Sequence, residues 1–224
     1  MTPLNPPSLV IFDCDGVLVD SEPIQLRALL DVAATVGFSM SLPAAIQRFR
    51  GAKMADVVRT IEEQIGGPTP ADFVATVRAR QAEVFARELR PVDGVREAIE
   101  RLPMPCCVAS SGPVEKIRLS LTITGLLDRF GDHIFSSYEI GSWKPEPDLF
   151  LHAAASMGFP PEETLVVEDS ILGVRAGVAA HMRVLGYADE ARAPELAAAG
   201  AQVFAAMSAL PGLILGAETS PKRV

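Results

Sequence analysis

The residues best suited to chemistry stand directly behind the first apolar run: Leu9-Val10-Ile11-Phe12 leads into Asp13-Cys14-Asp15-Gly16-Val17-Leu18-Val19-Asp20-Ser21-Glu22. A short, unbroken apolar run reads as a strand buried on both faces, as in a parallel sheet. Open parallel sheets collect ligands at the carboxyl ends of their strands, which is where Asp13 and Asp15 fall. Two carboxylates this close repel each other unless a cation neutralises them or one keeps a proton. Both arrangements suit phosphoryl transfer, with Mg²⁺ for the phosphate, one carboxylate as nucleophile and the other as acid and base. The ordinary alternative is a solvated Asp-Gly turn. What separates the two is whether other strand ends supply a hydroxyl, a positive charge and further acids.

Three further clusters do so. Cys106-Cys107-Val108-Ala109 runs into Ser110-Ser111-Gly112-Pro113. Hydroxyls and free backbone N–H groups at a helix start form a ready anion site, although one serine could simply be the N-cap. Trp143-Lys144-Pro145-Glu146-Pro147-Asp148 follows the third strand region. The aromatic and proline neighbours restrict the backbone around Lys144, which suits a point charge aimed at a phosphate better than a solvated lysine. Leu165-Val166-Val167 ends in Glu168-Asp169-Ser170. Adjacent acids at a buried strand end are costly without a cation, unless Asp169 or Ser170 caps the next helix and Glu168 reaches solvent. With Asp13 and Asp15 they complete an oxygen-ligand set for Mg²⁺, which keeps several waters and shares phosphate oxygens.

The elements that hold these groups follow from periodicity. Ser21 can cap a helix carrying Leu26, Leu29, Leu30 and Ala33 inward, ending near Gly37. Pro43 suits a helix first turn. Met54, Val57, Val58, Ile61 and Ile65 recur at helical spacing as far as Gly66-Gly67-Pro68, and Phe73, Val77, Val84 and Phe85 mark a further helix. After Pro91 helices and strands alternate. A helix with Val95, Ala98, Ile99 and Leu102 precedes the strand at Cys106, and helices are expected over 113–123, 147–157 and 171–180. Strands are expected at Ile134-Phe135, Thr164–Val167 and Met182–Leu185, with a weaker tail at 202–205 and 207–215. The prediction is an α/β protein with a Rossmann-like, doubly wound parallel sheet and an inserted helical cap. Residues 1–20 and 90–216 form the discontinuous core, 21–89 the cap, and 217–224 a flexible tail.

The 224 residues are 49% apolar and 21% charged, ordinary for a well-filled globular core. A net charge of −8 argues against nucleic acid or an acidic membrane as partner, so an anionic substrate needs local positive charge. Cys14, Cys106 and Cys107 read as reduced, buried thiols of a cytoplasmic protein rather than a disulfide framework. No secretory signal or membrane span is expected, and no glycine-rich dinucleotide turn follows a strand.

Taken in order, the four clusters resemble the four motifs of the haloacid dehalogenase-like hydrolases. The opening Asp13–Glu22 stretch, Lys144-Pro145-x-Pro147-Asp148 and Glu168-Asp169-Ser170 are similar to the β-phosphoglucomutase-like subfamily. Arg48-Phe49-Arg50-Gly51, Met104-Pro105-Cys106 and Ser142-Trp143-Lys144 resemble its bacterial 6-phosphogluconate phosphatases more closely still. The resemblance implies that Asp13 is a nucleophile forming an aspartyl-phosphate. It implies that Asp15 protonates the leaving alcohol and then activates water, a role suited to a raised pKa. Ser110 would hydrogen-bond the phosphate, beside Ser111 and Gly112, and Lys144 would offset charge. Mg²⁺ would be held by Asp13, the backbone carbonyl of Asp15 and Asp169, with Glu168 a direct or water-mediated partner. The insert would close over the substrate, bringing Arg50, Gly51, Lys53 and Arg80 to it.

The chain also departs from the pattern. Where the mutases carry a histidine at the cap hinge, Gln25 stands here, which disfavours mutase chemistry. His181 precedes Met182 where relatives usually have glycine, which points to a helix C-terminal turn. The leading expectation is a Mg²⁺-dependent phosphatase of a small phosphorylated metabolite, a sugar or sugar-acid phosphate such as 6-phosphogluconate, working as a monomer or weak dimer. The alternatives are a phosphoglucomutase-type transferase and a phospho-accepting signalling or binding protein without turnover.

Overall fold

A computed structural model of the chain describes residues 6–216; the tail expected at 217–224 lies outside them. The strands are β1 Leu9–Phe12, β2 Cys106–Ser110, β3 Ile134–Ser136, β4 Thr164–Glu168, β5 Arg183–Tyr187 and β6 Gln202–Phe204. Between β1 and β2 lie α1 Glu22–Ala34, α2 Leu42–Phe49, α3 Met54–Ile65, α4 Phe73–Glu88 and α5 Val95–Glu100. Then follow α6 Val114–Ile123, α7 Leu127–Phe130, α8 Ser137–Ile140, α9 Asp148–Met157, α10 Ile171–Ala179, α11 Ala193–Ala198 and α12 Leu210–Leu215.

The strands form one parallel sheet in the order β3-β2-β1-β4-β5-β6, the α/β architecture expected. β1 is central because its four residues are all apolar and fully buried, which suits a strand covered on both faces. Alternate residues face opposite layers. Val10 and Phe12 pack with Cys106, Val108, Leu165, Val167 and the α5, α6, α7 and α12 side. Leu9 and Ile11 pack with Cys107, Ala109, Val166 and the α9, α10 and α11 side. Phe12 pairs with Val108 on one neighbour and Val167 on the other, so Asp13, Ser110 and Glu168 emerge together at the carboxyl edge. The chain order reverses direction across the sheet at β1, which opens a crevice there.

Helices α1 to α4 enclose a separate apolar cluster that includes Leu29, Phe38, Phe49, Ile61 and Val77. Ile24 and Ala28 of α1, with Val84 and Phe85 of α4, instead join the cluster on the sheet. The chain leaves and returns side by side: Asp20 N donates to Arg90 O at 3.0 Å and Val92 N to Leu18 O at 3.0 Å. Short helices α7, α8 and α11 carry too few turns for periodicity to reveal them. Ser21 does not cap α1; its hydroxyl is used in the site described next. His181 takes φ +60°, a left-handed turn after α10 that glycine would adopt at less cost.

Candidate active site

Asp13 leaves β1 with its N–H donating to Val167 O at 3.0 Å, which fixes its backbone to β4. Its Oδ1 accepts from Lys144 Nζ at 2.6 Å, and Oδ2 has no protein donor among the described residues. Lys144 also donates to Glu168 Oε1 at 2.6 Å and Ala109 O at 3.3 Å, and its ammonium lies 4.9 Å from the Phe150 ring centre. All three charged side chains are buried. Burial pushes the Asp13 carboxyl up to about 7, with Glu168 and Asp15 adding to the rise and Lys144 opposing it. Burial alone would lower Lys144, but Asp13 and Glu168 together raise it, so it stays an ammonium.

Glu168 accepts from four donors. Its Oε1 takes Lys144, and its Oε2 accepts from Asp169 N at 2.9 Å, Ser170 N at 2.8 Å and Ser170 Oγ at 3.0 Å. Glu168 thus bridges Lys144 and the loop after β4, with a single donor on Oε1. Ser170 caps α10 through Gly173 N at 3.0 Å, so neither acid does the capping. Asp169 is left buried, with its carbonyl accepting from Arg192 Nη1 at 3.0 Å and its Oδ2 3.5 Å from the same guanidinium nitrogen. Burial, then Glu168 and Asp13, raise its carboxyl well above the ordinary range.

Asp15 behaves oppositely. Ser21 Oγ donates to its Oδ1, and Lys116 Nζ, from the first turn of α6, donates to its Oδ2 at 2.6 Å. Lys116 also donates to Gln25 Oε1 at 2.9 Å. Burial pushes the Asp15 carboxyl up, but Lys116 and Ser21 overcome it and hold the group below its ordinary value. The raised pKa expected for Asp15 is corrected accordingly, and the reason is Lys116, a contact across 101 residues. Cys14 between the two acids is a thiol, raised by burial first and by both aspartates, so it is no nucleophile.

Ser110 is buried at the end of β2, where its Oγ accepts from Gly112 N at 3.2 Å. Ser136 Oγ donates to Gly112 O at 2.6 Å and pins the loop. Neither Ser110 nor Ser111 caps α6, which starts after Pro113 without a side-chain cap.

The donor set fits a small hard cation. Gly16 takes φ +81°, and a Cβ there would overlap the Asp169 carboxylate, so the loop carrying the Asp15 carbonyl packs directly on Asp169. Among the described residues no group of three or more His, Cys, Asp or Glu side chains is arranged to hold a metal. Two carboxylates, a backbone carbonyl and substrate oxygens are the kind of set Mg²⁺ uses, since it keeps several waters. The raised Asp13 and Asp169 carboxyls register the same shortage of positive charge.

These groups open into a cavity of about 550 Å³, walled on the other side by α1, α3 and α4 and the loop at Arg50–Lys53. A model of the haloacid dehalogenase-like hydrolase family matches residues 7–181.

The chain belongs to the haloacid dehalogenase-like hydrolases. It is 33% identical to a 6-phosphogluconate phosphatase of Escherichia coli over 207 residues, covering 91% of this chain and 93% of that one. It is 35% identical to hexitol phosphatase B of Escherichia coli over 179 residues, covering 77% and 80%. Among solved structures, a haloacid dehalogenase family hydrolase of Deinococcus radiodurans, with bound phosphate and sodium, superposes with a TM-score of 0.76 at 29% identity, covering 95% and 97%.

Within this hydrolase, Arg50, Gly51 and Lys53 line the cavity with Ser111 and Gly112. Arg50 is paired to Glu22, with Nε–Oε1 at 2.6 Å. Arg80 is not at the cavity. It pairs with Asp31 at 3.0 Å and Glu83 at 3.3 Å beside a separate small hollow, which corrects its expected substrate role. Arg78, Gln81, Ala82 and Phe85 line the site instead, a single face at spacings of three and four, and Arg80 lies two residues out of phase with Arg78. Helical phase against Phe85 was the signal that would have found Arg78.

Gly173 of α10 tests how tightly Glu168 is held, because a Cβ there would overlap its carboxylate. Gly173→Ala is expected to lose about 1–3 kcal/mol of stability in urea unfolding, while Gly67→Ala, with nothing within 4 Å, stays within about 0.5 kcal/mol. Equal stability of the two variants would show that Glu168 has room to move.

Proposed function

We propose that the chain is a Mg²⁺-dependent phosphatase of small phosphorylated carbohydrates, with sugar-acid phosphates such as 6-phosphogluconate among its substrates. The observation that carries this is buried Asp13, one oxygen held by Lys144 and the other without a protein donor, facing a cavity shared with Asp15 and Ser110. The phosphatase names of its relatives supply the substrate class.

Asp13 Oδ2 attacks phosphorus; as that bond forms, the bond from phosphorus to the sugar oxygen breaks, and Asp15, after taking up a proton from solvent against the pull of Lys116 and Ser21, passes it to the departing oxygen. Water then attacks the aspartyl-phosphate, Asp15 takes its proton, and phosphate leaves with Asp13 restored. Lys144, Ser110 and the Ser111 N–H would balance charge on the phosphoryl oxygens. Mg²⁺, held by Asp13, the Asp15 carbonyl and Asp169, would supply charge neutralisation for the acids and the phosphate. Residues 21–89 act as a cap hinged where residues 18–20 run beside 90–92, shielding the reaction from water. Gln25, which accepts from Lys116, has an amide that cannot shuttle a proton, so hydrolysis is favoured over a mutase cycle. Among the described residues no helix is long and apolar enough to cross a membrane.

Phosphate release from a panel of sugar, alditol and sugar-acid phosphates is expected with Mg²⁺ and lost with EDTA or in Asp13→Asn. Absence of release from every member would overturn the reading. Mg²⁺ is expected to raise the melting temperature more at about pH 8 than at about pH 5.5. Asp13, raised to about 7, holds a proton at the lower pH and must shed it to bind; at the higher pH it is ionised and its repulsion is relieved. An equal shift at both pH values would remove Asp13 from the ligand set.

Lys116 holds the Asp15 carboxyl in place, and leaving-group dependence reports on that. Lys116→Met is expected to lower kcat/KM for alkyl phosphates about tenfold or more, and for 4-nitrophenyl phosphate, whose leaving oxygen needs no proton, by less than about threefold. Equal slowing would mean that Lys116 only supports the fold.

A further inference from the structure

Most charge lining the cavity is already matched: Lys144 by Asp13 and Glu168, Lys116 by Asp15, and Arg50 by Glu22. Lys53, just before α3, and Arg78, on α4, form no ion pair among the described residues, although both line the cavity. Each rests on an aromatic ring instead. Lys53 Nζ lies 5.0 Å from the centre of the Trp143 ring, and the Arg78 guanidinium carbon 5.5 Å from that of Tyr138. Arg78 Nη2 also donates to the Tyr138 hydroxyl at 3.3 Å.

The two rings meet edge to face, 5.5 Å between centroids at 77°, so they make one platform carrying two cations. Trp143 directly precedes Lys144, which ties the platform to the residue bound to Asp13. A ring face orients a cation but satisfies it less than a charge-assisted hydrogen bond does. The cations therefore stay available to an anion while their positions are restricted. Glu115, exposed on α6, is the remaining acid of the lining without an ion pair among the described residues. Set against Lys53 and Arg78, it leaves a surplus of a single positive charge, which matches one carboxylate better than a second phosphate.

We propose that Lys53 and Arg78, held on the Trp143–Tyr138 platform, form a second anion subsite for the carboxylate of a phosphorylated sugar acid and so select it over the corresponding alditol phosphate. This rests on the phosphatase reading above. The probes are 6-phosphogluconate and glucitol 6-phosphate, which share chain length and phosphate position and differ at the far carbon. Binding is measured by calorimetry in an Asp13→Asn background, and kcat and KM in the otherwise unaltered enzyme, with and without Lys53→Gln/Arg78→Gln.

The expected result is a preference for the acid that falls by about tenfold in the double variant, the scale of one charged contact, through KM rather than kcat. An unaltered preference, or equal losses for both ligands as from a platform that merely latches the helices to the sheet, would overturn the subsite. Tighter binding of glucitol 1,6-bisphosphate than of the acid would overturn its assignment to a carboxylate. If the enzyme turns over neither compound while the Asp13→Asn protein still prefers the acid and loses that preference in the double variant, the phosphatase reading fails and the subsite stands.

Discussion

The site depends on one electrostatic constraint: Asp13, Glu168 and Asp169 are all buried where β1 and β4 end, and Lys144 is the ammonium in contact with the first two. One positive charge can match one or two carboxylates, and here it matches Asp13 and Glu168 while Asp169 is reached only by the edge of Arg192 at 3.5 Å. Buried charge without a partner is costly, and a group in that position takes up a proton instead. The upward shifts of Asp13 and Asp169 express that response. A divalent cation would resolve the same imbalance without a proton.

The sheet sets up this constraint through register. β1 pairs with β2 and β4 such that Phe12 is level with both Val108 and Val167, and every functional strand end opens at one height. Close approach then needs residues without side chains. At Gly16 a Cβ would collide with Asp169, and at Gly173 with Glu168. Both glycines let backbone approach a carboxylate that is already crowded, Gly16 in the turn after β1 and Gly173 in the first turn of α10, so backbone and charge are packed together as one unit.

The four clusters were legible in the sequence because each is an apolar run broken by polar residues, a contrast visible within ten positions. Contacts between distant segments were not. Ser21 read as a helix cap, yet its hydroxyl serves Asp15. Lys116 had no local mark, since its partners Asp15 and Gln25 lie 101 and 91 residues away. That contact reverses the charge state expected of Asp15. Arg80 and Arg78 are equally basic and two residues apart; only rotation about α4, fixed by the burial of Gln81 and Phe85, decides which of them meets the cavity. Adjacent acids likewise look alike in a sequence, but β4 turns Glu168 toward Lys144 and leaves Asp169 facing the Gly16 loop.

Burial also separates chemistry from selection. Asp13 and Lys144 are each 7% exposed, and their pairing is part of the core, so replacing either leaves an unmatched charge inside the protein. Lys53 and Arg78 are exposed at the cavity wall, where substitutions cost the fold little. A protein with net charge −8 repels anions at a distance, and three of the five cations lining the cavity are paired with carboxylates. Attraction of one phosphorylated compound over another therefore falls to the few positive groups not so compensated. The hydrolytic centre can recognise only the phosphate that all such compounds share; the exposed cations on their aromatic platform are where the remainder of the molecule can be told apart.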